Sequence, residues 1–97
     1  MTTETEIVAQ AEKTVASLED KRRALIQKAT ELAEERQRVS FAAHTGDAKA
    51  RQRLYAINTE TSMQASEMAS IEAAIVEAQS RVTAAKNAEA YPLVATV

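Results

Sequence analysis

The sequence predicts an all-α fold: a long antiparallel two-helix hairpin of coiled-coil type that dimerises into a four-helix bundle. Three observations carry that expectation. Good helix formers such as Ala, Glu, Gln, Arg and Lys dominate, and they lose little side-chain freedom in a helix. Apolar residues recur at a 4-3 spacing through both halves of the chain, the signature of a coiled-coil seam. The single Gly lies near the midpoint and the single Pro near the end, so the chain has material for one bend and one stop.

Helix 1 is expected over about residues 4–43. Thr3 and Glu6 have the spacing of a capping box, in which each side chain satisfies an orphan amide of the first turn. The stripe then runs Val8, Ala11, Val15, Leu18, Arg22, Leu25, Ala29, Leu32, Arg36, Val39 and Ala43, alternating heptad positions a and d. A turn is expected at His44, Thr45, Gly46 and Asp47. There Gly46 takes the positive φ that closes a helix, and Asp47 caps the next one. Helix 2, over about residues 48–90, carries Ala50, Leu54, Ile57, Thr61, Gln64, Met68, Ile71, Ile75, Ala78, Val82 and Ala85. Its run enters on d where the first leaves on a, which favours a fold-back over the alternative of one unbroken helix. Pro92 lacks an amide proton and biases Tyr91 away from helical angles, leaving 91–97 as a tail that runs free or docks on a partner.

Folded back, a and d positions pair in layers whose residue numbers sum to about 93. Val39 then meets Leu54, and large residues face small ones where Val15 meets Ala78 and Ala11 meets Val82. A hairpin with this much Ala buries little apolar area for each residue it orders. Further burial is expected through Ile26, Ala33, Met63, Ala65, Ala69 and Val76, just outside the seam, as the dimer interface. The alternative is that these residues reflect helix propensity alone. In this register Glu35 faces Glu60 with like charge, while Lys28 attracts Glu67. Arg22 and Arg36 are read as laying their stems along the seam with their heads in solvent.

Little in the chain looks like chemistry. With no Cys there is neither a disulfide nor a thiolate site; one His cannot make a His pair for a metal, and one Gly cannot make a phosphate loop. Ser40, His44 and Asp47 would suit a triad by type, but they fall within one bend with no enclosing pocket, and capping and surface roles account for them. The expectation is a non-enzymatic protein with no cofactor and no metal. No apolar run approaches a membrane span, so no membrane partner is expected and the cytoplasm is the expected compartment.

Charge is uneven along the fold. Between residues 36 and 53, Arg36, Arg38, Lys49, Arg51 and Arg53 face only Asp47, whereas Glu4, Glu6, Glu12 and Glu89 gather at the opposite end. Arg38, Phe41, Lys49, Arg51, Arg53 and Tyr55 therefore form a candidate interaction tip. Its partner is an acidic protein surface or, alternatively, nucleic acid, with phosphates on the bases and a ring stacked on a nucleobase. A structural reading has Phe41 and Tyr55 plugging the bundle end. The run AHTGDAKARQRLYAINTE, residues 43–60, resembles the bend of short uncharacterised helical-hairpin proteins of bacteria and their prophages. That resemblance implies a bacterial or phage setting and no catalytic residues. The expected function is structural or adaptor: self-association and binding of another protein.

Overall fold

The structure is a computed structural model and describes residues 3–90. The tail expected at 91–97 lies outside the described residues, as do the side chains of Glu4 and Glu89 at the acidic end. Two helices, α1 (Glu4–His44) and α2 (Ala48–Ala90), pack against each other as a hairpin. Among the described residues there is no strand, and no helix is long and apolar enough to cross a membrane.

The ends of α1 follow from local chemistry. Thr3 N–H donates to Glu6 Oε2 at 3.2 Å and Glu6 N–H donates to Thr3 Oγ1 at 3.1 Å, the reciprocal pair that the spacing predicts. At the other end Gly46 has a φ of 110°, which lets Asp47 N–H reach back to the Ala42 carbonyl at 3.0 Å. Thr45 adds its hydroxyl to the Phe41 carbonyl at 2.8 Å. Asp47 then begins α2, with Oδ1 accepting from Ala50 N–H at 2.9 Å and its carbonyl accepting from Arg51 N–H at 3.0 Å. One glycine and one aspartate thus reverse the chain within three residues.

Burial follows the heptads. All eleven seam positions of α2, from Ala50 to Ala85, are buried or half-buried, with Ile57, Ile71 and Ala78 the deepest. On α1 the d residues Leu18, Leu25 and Val39 are half-buried and Leu32 is fully so, whereas the a positions Arg22, Ala29 and Arg36 are exposed. In layers summing to about 93 Ala29 stands opposite Gln64 and Arg36 opposite Ile57. Ile57 is fully buried and Arg36 exposed, as expected where a long aliphatic stem covers the seam and its head stays in water.

The sequence reads as one hairpin domain, yet it divides into two compact units: Arg22–Ser70, and the described parts of Met1–Lys21 with Ile71–Val97. Paired antiparallel helices offer each residue neighbours only within a turn or so of its own layer, so packing is local. In Arg22–Ser70 Leu32, Ala43 and Ile57 form the core; in the other unit it is Ile71 and Ala78. The lateral ion pairs, Glu12 with Lys86 and Glu35 with Arg53, have residue numbers summing to about 98 and about 88, placed evenly about 93. They are the e–e and g–g contacts that flank an antiparallel a–d seam.

Candidate functional site

The turn side chains are engaged in shaping the bend. Ser40 Oγ donates to the Arg36 carbonyl at 2.5 Å, Asp47 caps α2, and His44 lies exposed in the last turn of α1. The hydroxyl and carboxylate that would serve a triad therefore point into helix hydrogen bonds, and not toward the imidazole. Among the described residues no group of three His, Asp or Glu side chains converges in a way that could hold a metal ion.

The tip divides into a free part and a bound part. Phe41 is 80% exposed and Tyr55 77%, so in the hairpin itself both rings stand in solvent. Arg38, Lys49 and Arg51 are exposed and, among the described residues, make no ion pair within 4 Å. A shallow depression lined by Gly46, Ala48, Arg51, Gln52 and Tyr55 lies beside the turn.

Arg53 differs from its neighbours. Nε and Nη2 each approach a different Glu35 oxygen at 2.5 Å, and Nη1 lies 3.9 Å from Glu60. The hydrogen bond from Arg53 holds the Glu35 carboxyl below its usual value, helped by the more distant charges of Arg38 and Lys28, while Glu35 raises Arg53 further. The Glu35–Glu60 repulsion expected from the register is thus relieved by a cation clasped between them. Lys28 makes no ion pair with Glu67 within 4 Å and acts at longer range on Glu35. Sequence reasoning counted Arg53 among the free tip charges because it cannot see lateral reach. The available signal was the g position that Arg53 shares with Glu35 and Glu60.

The expected dimer residues are all exposed: Ile26 at 42%, Met63 and Val76 at 67%, with Ala33, Ala65 and Ala69. Within Arg22–Ser70 they fall on two flanks. Within Arg22–Ser70, Ile26, Ala33 and Ala65 occupy e and Ala69 the adjoining b, all on one flank of the seam. Met63, at c, falls on the other flank beside Glu60 and Glu67. Val76, at b, belongs to the second unit.

That second unit holds a feature the sequence reading missed, a groove of about 500 Å³ walled by Ile7 and Leu18 and floored by Ala11, Ala74, Ala78 and Ala85. Gln10, Thr14, Glu77 and Arg81 complete its lining. The signal lay in two apolar g positions, Ile7 and Ala74, above a seam too rich in Ala to fill the space between the helices. No protein-family model, curated protein or solved structure matches the chain.

Proposed function

We propose that this protein is a non-enzymatic structural or adaptor protein of the bacterial or phage cytoplasm, which acts by pairing with itself and binding another protein. Two hairpins associate through the e flank of Arg22–Ser70 into a four-helix bundle. The observation that carries this reading is Ile26, an isoleucine 42% exposed on a flank that it shares with exposed Ala33, Ala65 and Ala69. Burying that flank on a second copy adds apolar contact without desolvating an acid, since none occupies e or b between 26 and 40 or between 58 and 69. Sedimentation equilibrium at micromolar concentration tests it. Twice the chain mass of 10.5 kDa is expected, falling to the chain mass when Ile26→Lys places a charge on the flank, with helicity retained. A fully helical monomer in the parent protein overturns the reading.

A second reading rests on the tip. Exposed Phe41 and Tyr55 stand near the unpaired cations Arg38, Lys49 and Arg51, a chemistry that suits single-stranded nucleic acid. It requires salt-dependent retention on DNA or RNA that is lost when Arg51 and Lys49 become Glu. Protein-only function requires no retention near physiological salt.

A further inference from the structure

We infer that a second copy lies parallel on the e flank of Arg22–Ser70, turn beside turn, with Ile26 of each chain seated between the partner's Ala65 and Ala69. The inference rests on the self-association proposed above and names its geometry. Two copies related by a two-fold axis bury the same patch on each other, so every feature of the flank must find its complement on that same flank. Its two large exposed side chains are Ile26 on α1 and Tyr55 on α2, and the e and b positions over 27–40 and 56–69 carry only Ala, Ser, Thr, Asn and Gln. In the layer register Ile26 stands level with the step from Ala65 to Ala69, and Tyr55 with the step from Gln37 to Ser40. A knob thus lies beside a hole at one level, and a phenol beside polar groups at another.

Two arrangements overlap the whole of this uncharged flank. An axis along the helices keeps every level and lays α1 on the partner's α2, which brings Ile26 onto the partner's Ala65 and Ala69, and Tyr55 onto the partner's Gln37 and Ser40. Aliphatic atoms then meet methyl groups, and the phenol keeps hydrogen-bonding neighbours. An axis across the helices instead reverses the levels about residue 33 and lays α1 on the partner's α1. Ile26 then covers the partner's Gln37 and Ser40, whose polar groups lose water to a side chain that offers them no hydrogen bond. Only the parallel arrangement gives both large side chains matching surface. It also brings the turns together. Arg38, Lys49 and Arg51 of both copies then stand at one end, exposed and without an ion pair in the hairpin, where salt screens their repulsion and a single anionic partner can meet both sets.

The chain has no Cys, so Gln52→Cys and Thr59→Cys, at two exposed f positions of α2, can each carry a single nitroxide label on the full-length protein. Pulsed dipolar spectroscopy then reads the distance between the labels of two paired copies. Parallel pairing sets the labels level with each other at both positions, so the two variants should give the same distance. Reversed pairing offsets them along the axis by roughly 24 Å at Gln52 and roughly 3 Å at Thr59, at 1.5 Å per residue. A distance at Gln52 longer than that at Thr59 by about 10 Å therefore overturns the inference and leaves the dimer standing. A monomer with no coupling between labels overturns the self-association, and the inference with it. Ile26→Lys should abolish the coupling at both positions with helicity retained; coupling that survives this change overturns the flank as the contact.

Discussion

Replacing Gln64 with Leu should stabilise the protein, although it removes a polar residue from a position where polarity could be thought to serve a purpose. Gln64 occupies a d position and is half-buried, and its Oε1 is shut off from solvent without a hydrogen-bond partner. The layer numbering explains the orphan. Arg36 stands opposite Ile57, but the residue opposite Gln64 is Ala29, which has neither a donor nor a stem to offer. Thr61, one layer away, escapes the problem by donating its hydroxyl to the Ile57 carbonyl of its own helix at 2.8 Å. An unmet buried acceptor costs about 1–3 kcal/mol. Leu is close in volume, a kind of exchange whose repacking cost stays below about 1.5 kcal/mol. The net expectation is a gain of about 1 kcal/mol. At a urea slope of about 2 kcal/mol/M this raises the midpoint by about 0.5 M, and it raises Tm by about 4–8 °C for a chain of this size. Both should be measured at one protein concentration, because any self-association would add to apparent stability. An unchanged or lowered midpoint at constant slope refutes the reasoning. A double-mutant cycle isolates the cause: Ala29→Arg supplies a donor opposite Gln64, so the gain from Gln64→Leu should shrink in that background.

Two further outcomes follow from the turn and from the clasp. Gly46→Ala should cost about 1–3 kcal/mol through backbone strain alone, because φ is 110° and an added Cβ would meet nothing within 4 Å; thermal unfolding checks this, and an unchanged Tm would refute it. Glu35 has its folded pKa lowered by Arg53, so its contribution to stability is present above the unfolded carboxylate value and is lost as pH falls through the lower folded value. Acid titrations of parent and Glu35→Gln should therefore differ near neutrality and converge at the acid end. High salt should shrink the difference, as both side chains keep partial contact with solvent, at 42% and 29% exposure.

What could be read from the sequence was what short-range chemistry decides. Thr3 with Glu6, and Gly46 with Asp47, act within a few residues of themselves, so their spacing alone determines the hydrogen bonds they make. The seam was legible in α2, whose eleven a and d positions are all buried or half-buried, and less so in α1, where the a positions Arg22, Ala29 and Arg36 are exposed. The lateral and outer residues were less legible. Arg53 could have pointed to solvent; that it reaches Glu35 and Glu60 depends on register and side-chain length together. Phe41 and Tyr55 are large and apolar enough to suggest burial, yet a two-helix turn has no third element to cover them, and they stay exposed. The groove was hidden for the opposite reason: it is made by what alanines fail to fill, and an apolar pattern does not distinguish filled space from empty space.

The ion pairs decide which flanks remain open to apolar partners. In Arg22–Ser70 the g flank carries Arg53 between Glu35 and Glu60, with Lys28 and Glu67 at the same heptad position; an apolar surface laid there would have to strip water from those charges. That leaves the e flank of Ile26, Ala33 and Ala65 as the side on which a second hairpin gains area at least cost. In the other unit the ion pair Glu12–Lys86 sits at e, and it is the g flank, with Ile7 and Ala74, that opens into the groove. In Arg22–Ser70 charge thus pins the g flank and leaves the e flank free of acids. Pairing of two copies through Ile26 would make no demand on the free tip cations Arg38, Lys49 and Arg51, which would stay available to an anionic partner.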